Sequence, residues 1–209
     1  MNPEHFPKNH VPAMLVIAIA LAICILPATA ISVTDDAGMT ISLNATSLRI
    51  VSLSPSNTEI LAALGLTDRI VGVTDVCDYP PEVKNKTRIG GYSAISIEKV
   101  AAARPDLVIA SDLTPKETVG RLRDLGLPVM VVAPRNTSHM IRDIRLVGTM
   151  TGSESRAEVL ATNLSERIAA VLPCPSTTDR PTVAHVVWHK PLYVSGNDTL
   201  QNDVITHAG

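Results

Sequence analysis

The chain has 209 residues, 45% of them apolar, and a formal net charge of −2 at pH 7. This length allows one or two domains with a sizeable core. The near-neutral charge, with no run of basic residues, argues against bulk nucleic-acid binding. Aromatic residues make up only 2% of the chain, so each ring is a candidate for a specific contact.

Residues 1–31 predict a targeting segment. Residues 11–31 are almost wholly apolar, and residues 28–30 offer a small-x-small cleavage site, which together are typical of a secretory signal peptide. The apolar stretch is also long enough for an uncleaved membrane anchor, and Cys24 gives a weak lipoprotein-type alternative. All three alternatives predict an exported protein, periplasmic or at the cell surface, and the last two keep it attached to the membrane.

Five of the nine asparagines begin an Asn-x-Ser/Thr triplet, where random placement would give about one or two. These are Asn44, Asn85, Asn136, Asn163 and Asn197. Glycosylation on an exported surface would explain the excess. The alternative is that Asn followed by Ser or Thr simply marks turns and helix caps. The sequence leaves both open.

Beyond the leader, the cysteines are Cys77 and Cys174. An exported protein could join them in a disulfide, but two free or buried thiols are the preferred interpretation. The sequence has no Cys-x-x-Cys spacing, and no His-x-x-x-His spacing in it indicates a zinc site, so no metal site is predicted.

From residue 50 onward, short aliphatic runs alternate with helical segments. Strands are predicted at residues 50–53, 70–73, 107–110 and 129–132, after a first strand candidate at 39–43, and helices at 56–64, 96–103 and 115–125. This order predicts an α/β fold with a parallel sheet and covering helices. The unbroken aliphatic runs indicate strands that are buried on both faces.

The most informative stretch is residues 49–65, where a buried strand turns directly into a helix. Ser56 and Glu59 have capping-box spacing, and Pro55 suits the first helical position. We expect free backbone N–H groups at this helix start to point into the crevice beyond the strand, where open α/β sheets bind ligands. The expected crevice wall consists of Ser54, Pro55, Ser56 and Asn57.

A long helical region follows at residues 138–172, with a break at Gly152 and Ser153. Its second helix would be about 27 Å long, enough to reach a second sheet. A strand at 183–188 and a helix at 198–208 come next. Since a strand and helix with nothing after them cannot close a core, we interpret the sequence as truncated: one lobe and the opening of another.

Several short motifs together resemble one known family. They are Ile-Val-Ser-Leu-Ser-Pro-Ser-Asn-Thr-Glu at 50–59, Val-Gly-Val at 71–73, Asp-Tyr-Pro-Pro at 78–81, Ile-Glu-Lys at 97–99, Ala-Arg-Pro-Asp-Leu-Val-Ile at 103–109, Ser-Gly at 195–196, Leu-Gln-Asn at 200–202 and Val-Ile at 204–205. The chain resembles the helical-backbone, or class III, substrate-binding proteins of ABC importers. That family captures cobalamin, ferric siderophores and haem, and the likeness is greatest to its cobalamin-binding branch.

The resemblance implies two α/β lobes joined by one rigid helix, with the ligand held between them. Its first lobe would span residues 32–137, an open parallel sheet with helices on both faces. The helical region 138–172 would include the bridging helix at 154–172. Residues 173–209 would begin an incomplete C-terminal lobe.

The resemblance also suggests aromatic ligand contacts. Tyr92 follows Gly90 and Gly91, and its ring could lie flat on a large planar ligand. Tyr79 belongs to a rigid Tyr-Pro-Pro loop over the same sheet edge. Trp188, the single tryptophan, would face the cleft. The alternatives are a surface or partly packed Tyr92 and a core tryptophan in the second lobe.

Glu98 stands in the first turn of its predicted helix, where a carboxylate interacts favourably with the helix dipole. The resemblance implies a further role, because the matching glutamate of the family docks on the membrane subunits of the importer. We therefore expect Glu98 to be a transporter-docking residue.

These observations predict extracytoplasmic capture of a metal chelate, above all a corrinoid, for an ABC importer. Motifs of catalysis are missing from the sequence, so neither an enzyme nor a cofactor is expected. The expected partners are membrane permease subunits and the chelate itself, with no nucleic acid, and the protein is expected to be a monomer. The alternatives are a haem or ferric-siderophore receptor of the same family and, from another class, an α/β enzyme or nucleotide-binding module.

Overall fold

The computed structural model of the protein describes residues 30–91, 94–171 and 182–208. It opens with an antiparallel hairpin of β1 (Ile31–Thr34) and β2 (Thr40–Leu43). Only the second strand was predicted. The first was missed because its apolar residues alternate with polar ones in a polar stretch, and it begins at Ile31, the last residue of the predicted leader. The remaining leader, residues 1–29, lies outside the described residues.

The central sheet consists of five strands, which in chain order are β3 (Ile50–Ser52), β4 (Ile70–Val73), β5 (Thr87–Arg88), β8 (Leu107–Ala110) and β9 (Val129–Val131). A separate antiparallel ribbon of β6 (Gly90–Gly91) and β7 (Ala94–Ile95) comes between β5 and β8 in the chain. The strands of the central sheet are parallel and lie side by side in the order β5-β4-β3-β8-β9. The predicted parallel sheet is confirmed, with each of its four predicted strands within one residue of its bounds. The short edge strand β5 was not predicted.

The helices are α1 (Pro55–Ala63), α2 (Ile97–Ala102), α3 (Lys116–Asp124), α4 (Thr137–Thr151), α5 (Glu154–Val171) and α6 (Leu200–Ala208). Two 3-10 turns, Thr67–Arg69 and Pro81–Asn85, lie between the early strands. The predicted break between the two long helices is confirmed, since Gly152 ends α4 in the left-handed conformation.

Alternate residues of the strands point to opposite faces of the sheet, and each face has its own apolar layer. On one face, Ile50, Ile109 and Met130 pack with α1, α4 and the β1–β2 hairpin. On the other, Val51 and Val108 pack with α2 and α3. Since helices cover both faces, the inner strands are largely apolar on both sides, and the predicted α/β class is confirmed.

Charged side chains tie the N-terminal hairpin to this core. The buried carboxylate of Asp35 accepts a hydrogen bond from Arg123 at 3.0 Å. The guanidinium of Arg142 bridges the carboxylates of Asp36 and Asp143. The side chain of Asp143 is 1% exposed, so this cluster lies at the edge of the core rather than on the surface.

Helix α5 starts on the first lobe and leaves it. Ala157 and Ala161, in its first half, are buried, and Leu160 packs against the core. The guanidinium of Arg156 donates to the carbonyl of Leu64 at 3.0 Å. The second half is largely exposed. This path suits a helix that runs from one lobe to another, while the predicted lobe boundaries stay predictions.

After residue 181 the chain forms a hairpin of β10 (Val186–His189) and β11 (Leu192–Val194), followed by α6. The predicted strand and helix are therefore present, each with a later start than predicted. The side chains of both hairpin strands are exposed. Helix α6 contacts α4, where the Asp203 carboxylate accepts hydrogen bonds from the backbone N–H and the hydroxyl of Thr137, both at 2.8 Å.

Candidate ligand-binding crevice

The carboxyl edge of the sheet contains a topological switch point. From the central strand β3 the chain moves to β4 on one side and later returns to β8 on the other. The turns that follow β3 and β8 therefore lead away in opposite directions and leave a crevice between them. Ser54, two residues after β3, and Ser111, directly after β8, stand at the two sides of this crevice.

The turn after β3 is capped by Ser54. Its backbone is extended and its hydroxyl oxygen accepts a hydrogen bond from the N–H of Asn57 at 3.3 Å. The predicted capping box of Ser56 and Glu59 is therefore wrong. The strand ends at residue 52, and Pro55 takes the first helical position, so the residue before the proline becomes the cap.

This turn offers fewer free amides than the sequence predicted. Pro55 has no N–H, the N–H of Asn57 is bound by the cap, and that of Thr58 donates to the carbonyl of Ser54 at 3.1 Å. Within the described residues, only Ser56 is left with a first-turn N–H that has no assigned acceptor. The helix start is therefore not a cradle of several donors, and its contribution would come mainly from hydroxyl groups.

Asn57 joins the two sides of the crevice. Its side chain is nearly inaccessible, at 2% exposure, and its Nδ2 donates to the carbonyl of Ala110 at the end of β8, at 3.0 Å. This bond fixes the helix start against the neighbouring strand. Of the four residues predicted to form the wall, Ser56 is the exposed one, Pro55 is partly exposed, and Ser54 is almost buried beside them.

Ser111 is a crevice residue that the sequence analysis missed. Its N–H donates to the hydroxyl of Thr114 at 3.1 Å, but its own buried hydroxyl has no hydrogen-bond partner in the part of the chain that the structure describes. A buried hydroxyl without a partner is uncommon. The sequence signal that could have identified Ser111 was its position directly after a predicted strand beside the switch point.

The loop after β4 forms a neighbouring part of the same edge. The guanidinium of Arg88 donates to the carbonyls of Thr74 and Cys77, at 2.8 and 2.7 Å, and thereby fixes the loop. Cys77 is a free, buried thiol, as predicted for it, while Cys174 lies outside the described residues. Tyr79 follows on this loop with 63% of its surface exposed, so its ring is available for contact.

The β6–β7 ribbon adjoins this loop, since the N–H of Asp75 donates to the carbonyl of Gly90 at 3.0 Å. Gly90 has a φ of +113°, and a Cβ there would lie 2.5 Å from the carbonyl oxygen of Ala94. The position therefore requires glycine. Tyr92 lies outside the described residues, so its ligand contact stays a prediction, although the ribbon on either side of it is joined to the crevice edge.

Trp188 lies on β10 with 57% of its surface exposed. Its indole N–H donates to the carbonyl of Lys190 at 3.0 Å, and its ring centroid is 5.3 Å from that of His189. These contacts are all within its own hairpin, so the structure does not bring Trp188 together with Ser54 or Tyr79. Its place in the site stays a prediction.

Glu98 lies in the first turn of α2, a helix that packs on the face of the sheet opposite to α1. Its own backbone N–H and the hydroxyl of Ser96, which donates at 3.0 Å, lower the pKa of this exposed carboxyl. Glu98 therefore presents a negative charge on the surface. The hydrogen bond from Ser96 is local to the start of α2, so the docking role of Glu98 stays a prediction.

Among the described residues, no group of three His, Cys, Asp or Glu side chains is arranged to hold a metal ion.

An open groove runs between the end of α1 and α5, lined by Leu64, Arg156, Val159 and Leu160 among others. It lies at the opposite end of α1 from Ser54, and so it is separate from the crevice.

The family model described as periplasmic binding protein matches residues 50–209 of this sequence. The chain belongs to the periplasmic binding protein family. Among curated relatives, the uncharacterized ABC transporter substrate-binding lipoprotein YvrC of Bacillus subtilis is 29% identical to this chain over 183 residues, or 84% of the chain. The vitamin B12-binding protein of Salmonella choleraesuis is 30% identical to this chain over 162 residues, or 77% of the chain. The alignments span 58% and 60% of the two relatives.

Solved structures agree on the fold of this periplasmic binding protein. The vitamin B12-binding protein BtuF of Vibrio cholerae superposes with a TM-score of 0.71 at 24% identity. The apo haem-binding protein RhuT from Roseiflexus superposes with a TM-score of 0.69 at 33% identity. Each superposition covers 78% of this chain and 64% of the other. The resemblance inferred from the sequence motifs is therefore confirmed.

Proposed function

We propose that this protein is an extracytoplasmic receptor that captures a metal chelate, most specifically a corrinoid, and delivers it to an ABC importer. The chain would supply one side of the ligand cleft and the first elements of the other. The observation that carries the proposal is the switch-point crevice between Ser54 and Ser111, on a chain of the periplasmic binding protein family.

The chemistry of the crevice suits a large ligand with a low density of charge. The wall presents the exposed hydroxyl of Ser56, a partly exposed proline ring and one backbone N–H without an assigned acceptor. The accessible ring of Tyr79 stands on the neighbouring loop. Such a surface binds by shape, ring stacking and a few hydrogen bonds. Tyr92, the residue after β6 in the sequence, would add a ring that stacks on the corrin.

Delivery requires a second surface, and Glu98 supplies an exposed negative charge in the first turn of α2. We propose that it pairs with basic residues of a membrane permease subunit, where charge complementarity would set orientation and encounter rate.

Membership of the family supports an extracytoplasmic location. In the described part of the chain, no helix has both the length and the apolarity needed to cross a membrane.

The direct test is calorimetric titration of the protein with cobalamin, haemin and a ferric hydroxamate. We expect cobalamin to bind most tightly. Tyr92→Ala should weaken the binding of the true ligand at least tenfold with the fold intact, and unchanged affinity would remove Tyr92 from the site.

The matched variant Tyr92→Phe distinguishes a corrinoid ligand from haem, the second candidate ligand. A stacked corrin needs only the ring, so cobalamin affinity should survive in Tyr92→Phe. The runner-up is haem, favoured by the 33% identity to RhuT. Were a Tyr92 phenolate to bind haem iron, a ferric absorbance band would appear in the wild-type protein and disappear in Tyr92→Phe.

The docking surface has its own test. Glu98→Ala should leave ligand affinity unchanged and slow uptake into cells that carry the matching importer. Normal uptake by this variant would exclude the docking role and would leave the ligand assignment untouched.

A further inference from the structure

The structure separates the five Asn-x-Ser/Thr triplets into two groups. In two of them, helix capping explains the motif. The Oδ1 of Asn136 accepts the N–H of His139 at 2.8 Å and caps α4. In the triplet of Asn197, the hydroxyl of Thr199 accepts the N–H of Asn202 at 3.3 Å at the start of α6.

The other three triplets have no such explanation. Asn44, Asn85 and Asn163 are all exposed, and none of their side chains has a hydrogen bond assigned within the described residues. By contrast, Asn57, which heads no triplet, is buried and structurally bound. Three triplets are therefore left without a capping role, against about one or two expected from random placement.

The local conformation at each of these three asparagines separates Asn163 from the other two. Asn163 lies in the middle of α5, where the hydroxyl of Ser165 already donates to the carbonyl of Ala161 at 2.8 Å. Asn44 lies in the loop between β2 and β3, and Asn85 is the last residue of a 3-10 turn. Acceptor asparagines of this motif are found in surface loops of exported proteins, which favours these two.

We propose that Asn44 and Asn85 are sites of N-linked glycosylation. This proposal rests on the export of the protein that the proposed function includes. The donor would be an oligosaccharide on a polyprenyl phosphate or pyrophosphate. The amide Nδ2 forms a bond to sugar C1 and loses one proton, while the bond from C1 to the phosphate oxygen breaks. The lipid phosphate leaves with that electron pair, so neither oxidant nor reductant is needed.

The fold leaves room for a glycan at Asn44. This residue precedes β3, so it lies at the amino edge of the sheet, opposite the crevice at the carboxyl edge. Thr46 of the same triplet lies against Gly152 at the end of α4, which also marks the far side from the crevice. A bulky, solubilising group here would leave ligand entry free.

The test is mass spectrometry of peptides from the protein isolated from the cells that naturally make it. We expect sugar mass on the peptides with Asn44 and Asn85, and none on the peptide with Asn136. Asn44→Gln and Asn85→Gln should each remove one glycan, whereas Thr46→Ser, which keeps the triplet, should retain it. The control Asn202→Gln should change nothing.

Unmodified Asn44 and Asn85 in exported protein would overturn the proposal, as would equal modification of Asn136. Cell fractionation of the same sample separates this failure from a failure of export, because unexported protein would contradict the proposed function as well. Cobalamin affinity should be the same in Asn44→Gln and wild type. A change there would contradict the placement of Asn44 opposite the crevice.

Discussion

Helices α4 and α5 cross at Gly148, and a single methyl group should disturb this crossing. A Cβ on Gly148 would lie 2.4 Å from the Cβ of Ala157, which is buried, and 3.5 Å from the backbone of Glu154. Ordinary contacts of this kind are 3.4 to 4 Å. Since the opposing atoms are fixed to a helix backbone, the two helices would have to move apart.

The magnitude follows from two opposing terms. Replacing glycine by alanine inside a helix favours the helix by about 1 kcal/mol. Overpacking a core site costs about 1–3 kcal/mol, and the rigid neighbours here place Gly148→Ala near the upper end. We expect a net loss of about 2 kcal/mol in the free energy of unfolding. The matched control is Gly120→Ala on α3, where a Cβ meets nothing within 4 Å, and a gain of up to about 1 kcal/mol is expected.

Urea denaturation followed by far-UV circular dichroism measures both variants. Removing the opposing methyl group in the double variant Gly148→Ala, Ala157→Gly should recover at least about 1 kcal/mol relative to the sum of the single changes. If Gly148→Ala proves as stable as Gly120→Ala, the close packing of α4 on α5 is refuted. The path of α5 away from the first lobe would then lose its physical basis.

Three further predictions concern a buried acid, a helix cap and a contact between helices. Burial raises the pKa of Asp143 to about 7, so its native carboxyl holds a proton more tightly than the unfolded one. The stability that Asp143 contributes should therefore be greatest below about pH 4 and be lost towards pH 7, so Asp143→Asn should remove this part of the pH dependence and stabilise the protein at pH 8. Ser54→Ala should cost about 1 kcal/mol in the free energy of unfolding through loss of the cap, measured against the exposed neighbour Ser56→Ala. Asp203→Ala should speed hydrogen exchange of the Thr137 amide, measured by NMR, because that N–H loses its acceptor.

Each of these has a clear contrary outcome. A pH profile that keeps its slope in Asp143→Asn, while the exposed control Asp124→Asn behaves identically, would contradict the raised pKa. Equal losses in the two serine variants would exclude Ser54 as the cap. Unchanged exchange at Thr137 in Asp203→Ala would show that α6 does not dock on α4.

The local sequence pattern was sufficient to predict most of the fold. The strands at 107–110 and 129–132 were predicted because unbroken aliphatic runs between helical segments occur where a parallel sheet is buried on both faces. Gly152 was predicted as a break because glycine ends helices in a conformation that other residues disfavour. Both signals lie within a few residues of the feature that they specify.

The errors arose where a local pattern permits two registers or needs a distant partner. Ser54 and Ser56 are both good helix caps, and the choice between them depends on the residue where β3 ends. Strand β1 alternates polar and apolar residues in a short stretch, and it becomes recognisable only when Val33 is buried against α4 and the sheet.

The sequence by itself determined the leader pattern, the alternation of strands and helices and the motifs that identify the family, because these depend on neighbours along the chain. Tertiary structure alone decided that Asn57 binds Ala110, that Ser111 faces Ser54 across the switch point and that α5 crosses α4 at Gly148. These contacts join separate elements of the chain, and only the packing of helices on the sheet brings such residues together.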